Sequence, residues 1–346
     1  MKMEREGFSP QTLLLFMLVT LAVFALCAAV GSVRIPFSDI IAFFFRFIGN
    51  TAIPEDSGTS SSILAVRLPR VICVALTGAS LSVCGGAMQG LLRNPLADGS
   101  TLGVSSGASL GAVIAIAFGI SIPGAPFAGT VIMAMLFAFI SLMLILTLAY
   151  RLDFSLSTNT IILIGVIYTM FVSSIIAFIT TLAADKVKHI MFWTMGSLSG
   201  SGLSDALALT LALVICGGVI MSRARELNAF AVSEDNARHI GVNVERVKLI
   251  IMITVSALIG VCVSIGGTIG FVGLVTPHMA RMISGPNHKR LLPVCAFGGA
   301  AFLMLADLAA RIILNPLELP IGVVTSFTGA LLFIYIFYTS RRDSHA

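Results

Sequence analysis

Arg67 and Arg70, in the string RLPR, are the residues whose type and spacing most plainly prepare a chemistry. A guanidinium is planar, permanently charged and able to hold a carboxylate through parallel N–H donors, so two together imply an acidic partner or a headgroup. Arg311 follows Asp307 at the i, i+4 spacing that lets the two pair on one helix face. His278, beside Pro277, lies inside a long apolar run; it serves either a functional role or, in the preferred reading, the carbonyls that the proline frees. Cys27, Cys73, Cys84, Cys216, Cys262 and Cys295 all sit in apolar runs without CxxC spacing. They read as small buried hydrophobes, with neither a disulfide framework nor a metal site indicated. No GxSxG, HExxH or paired-aspartate arrangement falls within the apolar runs, which argues against an intramembrane enzyme. A GxxxxGK phosphate loop followed by Ser or Thr occurs nowhere, so this chain is not expected to hydrolyse ATP itself.

The elements that must position these groups are membrane spans. Of 346 residues, 57% are hydrophobic and 11% charged, with a mean hydropathy of +1.03. A soluble domain carries roughly a quarter charged residues, so the composition points to a polytopic membrane protein. Uncharged runs long enough for a helix of roughly 20 residues occur at 7–33, 71–92, 154–184, 249–280 and 319–340, and 99–150 is long enough for two. Residues 206–222 and 291–306 become spans once polar ends reach the headgroups. Gly266 and Gly267 break the long run 249–280 in two, which gives ten helices. Residues 7–33 are expected as the first span rather than a cleaved leader. With the N-terminus inside, most of the 21 basic residues, among them Lys2, Arg5, Arg93, Arg151, Arg223, Arg238 and Arg342, fall in the cytoplasm. RLPR then lies outside at the start of the second helix, where a plain alternative is headgroup anchoring with Pro69 opening the helix. Many of the 32 glycines fall in patterns such as GASLSVCGGAMQG and SSGASLGA, which let helices approach closely in lipid.

Two polar segments stand out between spans. SRARELNAFAVSEDNARHIGVNVERVK, residues 222–248, maps to the cytoplasm; it is either a solvated loop or, since DNARHI has helical character and Gly241 is a fitting stop, a short docking helix. HIMFWTMGSLSGSGLSD, residues 189–205, is expected as a short extracytoplasmic helix with Trp193 at the interface. RNPLADG (93–99) and LSTNT (156–160) read as cytoplasmic turns, with Ser157 or Thr158 as an N-cap, or as non-helical backbone lining a cavity.

Six ordered blocks resemble the permease subunit of ABC importers for iron-siderophores, haem and cobalamin. They are RLPR with GASLSVCGGAMQGLLRNPLADGSTLGVSSGA (67–108), FWTMGSLSG (192–200), SEDNARHIGV (233–242), GGTIGFVGLVTPHMAR (266–281), HKRLLP (288–293) and ADLAAR with ELPIGVVT (306–325). Gly99 stands where the family usually has proline, and GALLF (329–333) replaces a more usual GxPxF.

The resemblance implies an all-α, BtuC-like permease of about ten helices, a single domain over residues 1–346 with a coupling segment at about 223–248. It implies a multi-pass protein of the bacterial cytoplasmic (inner) membrane with both termini inside, without cofactor or nucleic acid. Its implied partners are the lipid bilayer, cytoplasmic ATPase subunits, an extracytoplasmic binding protein and a second permease, identical or paralogous. By the same resemblance Arg67, Arg70 and Arg311 face outward to receive the binding protein, and Glu234, Ala237, Arg238 and Gly241 engage the ATPase. Asn94, Leu96, Thr158 and Asn159 form the cytoplasmic gate. The expected cargo is a ferric siderophore, with haem and cobalamin as alternatives. An ion-coupled secondary transporter is the rival reading; it needs carboxylates at mid-membrane, whereas nearly every Asp and Glu here maps to a loop or helix end.

Overall fold

A computed structural model of the protein describes residues 10–31, 36, 59–122, 128–154 and 157–343; Lys2, Arg5 and Leu156 lie outside them. In chain order the helices are α1 (Pro10–Ala29), α2 (Thr59–Leu92), α3 (Val104–Phe118), α4 (Ala128–Leu152), α5 (Thr158–Leu182), α6 (Val187–Thr194) and α7 (Leu203–Ser222, with a π-turn at Leu213–Gly217). They continue as α8 (Ala224–Val232), α9 (Glu234–His239), α10 (Val244–Gly266), α11 (Val272–Ser284), α12 (His288–Ile312) and α13 (Ile321–Asp343). The ten expected spans correspond to α1 to α5, α7 and α10 to α13. Seven of the described helices are long and apolar enough to cross a bilayer. By contrast α3 has 15 residues and α11 has 13, about 20 Å of rise, so each covers only part of the hydrocarbon.

α2 occupies the middle of the bundle and packs along α12, α11 and α10, with α1 beside its first turns. Glycines set these distances. A Cβ on Gly78 would collide with the carbonyl of Gly299 and one on Gly299 with that of Gly78, so α2 and α12 touch backbone to backbone. Gly85 meets Gly273 of α11 in the same way. α2 also begins earlier than the apolar run predicts. Pro69 lies inside it rather than at its start, because Leu64 and Leu68 bury against Ala28 of α1 and outweigh the hydrogen bond that proline removes.

The break at Gly266 and Gly267 is present. α10 ends on Gly267, whose φ of +67° favours glycine, and α11 starts after Phe271, also left-handed at +67°. Backbone exposed by such a break must find partners, and the FWTMGSLSG segment supplies them. Ser197 donates its N–H to Gly266 O at 2.8 Å, and Thr268 Oγ1 donates to Thr194 O. Gly196 O and Met195 O accept from Ile321 and Gly322 at 3.1 Å each, which ties the start of α13 to the same knot. The helical part of this segment is α6; residues 195–202 are turns and irregular backbone, and Trp193 is half-buried against the core.

Candidate functional site

At one end of the bundle the three arginines come together, buried. Arg70 donates through Nε (3.0 Å) and Nη2 (2.9 Å) to Oδ1 of Asp307, and through Nη1 (2.8 Å) to Oε2 of Glu318. Arg311 holds the other Asp307 oxygen with Nε at 3.0 Å, so the i, i+4 pairing is formed. Arg311 Nη2 and Nη1 reach Cys27 O (3.1 Å) and Val30 O (3.3 Å), while Arg67 Nη1 reaches Ala28 O (3.0 Å) and Ala29 O (3.4 Å). These are the last carbonyls of α1 and that of Val30 just beyond it, which have no helical partner, and cations at a helix C-terminus are also favoured by its dipole. The expectation of outward-facing guanidiniums is therefore corrected: Arg67 and Arg311 close the end of α1, and Arg70 and Arg311 pair with Asp307. The reason is that a buried charge needs a counter-charge, and Asp307 and Glu318 supply it from α12 and the turn after it.

At the middle, two adjoining cavities of about 470 and 220 Å³ share Asp98 and Gly270. The larger is walled by Leu96, by Gly165, Val166, Thr169 and Met170 of α5, and by Phe271 and Leu274. The smaller reaches Ser105, Ser106 and Ser109 at the start of α3 and Thr268 and Gly273 at the break. The turn after α2 re-enters the bundle to make this floor. Asn94 Oδ1 accepts the N–H of Leu96 at 2.9 Å, Asn94 O accepts that of Ala97 at 3.0 Å, and Leu96 is left exposed to the cavity. Gly99 then lies against Ile259 and Cys84, two turns above the end of α2; Ile259 fills the room a larger residue would need. Thr158 and Asn159 line neither cavity. They open α5, where Ser157 is the N-cap and Asp153 Oδ2 accepts from Ser157 N (3.1 Å) and Thr160 Oγ1 (3.2 Å).

At the opposite end from the arginines, residues 223–243 fold as two helices joined at Ser233, whose hydroxyl caps α9 by accepting from Asn236 N at 2.9 Å, and α10 opens at Val244. Gly241, at φ +87°, ends it as the sequence predicts, and Val242 N returns to Ala237 O at 2.9 Å. The four residues expected to engage the ATPase divide. Glu234 and Ala237 face the bundle, Ala237 fully buried and Glu234 2.9 Å from the buried Nζ of Lys248. Arg238 and Gly241 face solvent, with Arg238 Nη2 2.8 Å from Glu245 and the exposed Val232 and Ile240 flanking α9. Sequence reasoning passes over Asn228 and His288: Asn228 Oδ1 accepts the N–H of His288 at 2.7 Å and lies 2.8 Å from its Nδ1. It also passes over Glu318, Lys248 and Asp98 as partners. A lone amide in α8 and a histidine opening α12 give no signal until the fold joins them.

A bundle of this kind, with half-length helices around a cavity and a capped polar helix pair at one end, belongs to the membrane-spanning subunits of transporters. Residues 17–339 match the family model described as the FecCD transport family. The chain is 40% identical to the uncharacterized ABC transporter permease protein YvrB of Bacillus subtilis, over 91% of this chain and 90% of that one. It is 37% identical to the cobalamin import system permease protein BtuC of Halobacterium salinarum, over 78% and 72%. Other relatives are named as a hemin transport system permease, from Yersinia pestis, and a molybdate import system permease, from Haemophilus influenzae. Among solved structures, an inward-facing metal-chelate type ABC transporter superposes with a TM-score of 0.80 at 28% identity, covering 95% of this chain and 99% of that one. The chain belongs to the FecCD family and is an ABC importer permease subunit, a multi-pass membrane protein.

Proposed function

We propose that the chain forms the translocation path for a ferric siderophore, in a complex with two ATPases on the α8–α9 side and a binding protein on the arginine side. The observation that carries this reading is the cavity itself. Its wall is apolar with a few hydroxyls, which suits the passage of a bulky chelate that holds its own metal. Haem and cobalamin remain the alternative cargoes, in keeping with the names that relatives bear. A second permease, identical or paralogous, closes the open side of the cavity. Asn94 and Leu96, with Thr158 and Asn159 at the opening of α5, make the inner gate. Arg238 and Gly241 meet the ATPase directly, while Glu234 and Ala237 shape the helix that does so. In this reading the protein lies in the inner bacterial membrane with both termini cytoplasmic, and residues 1–346 act as one domain.

The arginine cluster supports docking through its rim. Arg70 shares its charge with Glu318, whose side chain is 41% exposed, so an incoming carboxylate meets Arg70 at that edge. Asp98, the ionisable side chain on the cavity wall, is the observation that favours an ion-coupled carrier instead. The experiment is uptake of iron-labelled siderophore by proteoliposomes holding the permease with its ATPase, given loaded binding protein. ATP-dependent uptake that ignores an ionophore is the expected result. Uptake that follows an ion gradient without ATP refutes the importer reading.

A further inference from the structure

Both helices of the cytoplasmic segment are tied to one place, the last turn of α2. From α8, Asn228 holds His288, and the far side of that imidazole lies on Gly90, where a Cβ would collide with Nε2. From α9, Glu234 lies 4.0 Å from Nη2 of Arg93, the residue immediately after α2. Gly90 and Arg93 are one helical turn apart, and Asn94 and Leu96 of the cavity floor follow directly.

The two ties differ in kind. The Asn228–His288 contact joins a half-buried amide to a fully buried imidazole through short hydrogen bonds, so it is a fixed point. The Arg93–Glu234 contact is long, and the Arg93 side chain is 43% exposed, so water screens it and it forms or breaks at small cost. Glu234 is itself held in place by Lys248, while Arg93 is held in the left-handed region at φ +48°, a conformation rare outside glycine. A strained residue at the junction of a rigid helix and a turn is where a small push is turned into a change of turn geometry.

We infer that Arg93 is a positioning residue for the inner gate: the Arg93–Glu234 pair passes movement of α9 to Asn94 and Leu96, with the Asn228–His288 contact as fulcrum. This rests on the importer reading above. The test uses the complete transporter, permease with ATPase and loaded binding protein, in proteoliposomes, and reads ATP hydrolysed per cargo imported. Arg93→Ala and Arg93→Glu are expected to raise that ratio by roughly two- to fivefold, the worth of one screened ion pair, with Arg93→Lys near wild type. A role in stability alone would lower hydrolysis and uptake together and leave the ratio where it was. An unchanged ratio in Arg93→Ala and Arg93→Glu overturns the inference while the importer reading stands. Absence of ATP-dependent uptake in the wild type overturns the importer reading, and the inference with it.

Discussion

Asp307→Asn is expected to destabilise the bundle by about 3–5 kcal/mol, the cost of removing one member of a buried ion pair. Asp307 is 1% exposed; its Oδ1 receives two N–H groups of Arg70, and its Oδ2 lies 3.0 Å from Nε of Arg311. Asparagine keeps the shape but loses the charge, which leaves both guanidiniums without their shared counter-ion. Glu318→Gln is the control, because its half-exposed partner contact is screened and worth about 1 kcal/mol or less. At about 2–4 °C per kcal/mol, thermal unfolding of the detergent-purified protein should show a Tm fall of about 6–20 °C for Asp307→Asn and under about 4 °C for Glu318→Gln. Adding Arg311→Met to Asp307→Asn should recover part of the loss, since it removes a buried charge whose counter-ion is gone, although the α1 carbonyls lose their donor with it. Equal, small losses for the two acids, or no recovery in the double variant, would refute the account of the cluster.

Gly85→Ala should drive α2 and α11 apart, since its Cβ would collide with the Gly273 carbonyl, and cost about 2 kcal/mol or more in thermal stability; Gly200→Ala, with open space around it, should be near neutral in the same assay. Asn94→Ala combined with Leu96→Ala removes the turn's side-chain acceptor and the exposed side chain on the cavity floor, so passive solute leak from proteoliposomes should rise several-fold. An unchanged leak would show that Leu96 is no part of the barrier.

The sequence carries the spans well, because each must offer about 20 apolar residues whatever its neighbours are, and the bilayer makes the same demand everywhere. The break at Gly266 and Gly267 and the end of α9 at Gly241 were equally legible, since left-handed backbone selects glycine locally. What the sequence conceals is where long polar side chains point. Arg70 lies 237 residues from Asp307, so nothing local distinguishes an arginine that faces a partner protein from one that faces an aspartate within its own bundle. The true start of α2 was hidden for a related reason: Leu64 and Leu68 count as helix only once α1 is beside them. Of the two cavities only the turn after α2 was legible as a wall, because the remaining walls, α5 and the break before α11, meet it only in the fold.

The closing of α1 by arginines has a consequence for how the protein is made. Cys27 O and Val30 O receive their donors from Arg311, 284 and 281 residues later in the chain. A ribosome delivers α1 first and α12 near the end, so through most of synthesis the first helix sits in the membrane with those carbonyls turned to water or lipid headgroups. Arg67 can arrive early, being 39 residues from Ala28, and gives α1 a provisional hold on α2. The ring is completed only when α12 is inserted with Asp307 and Arg311 on it.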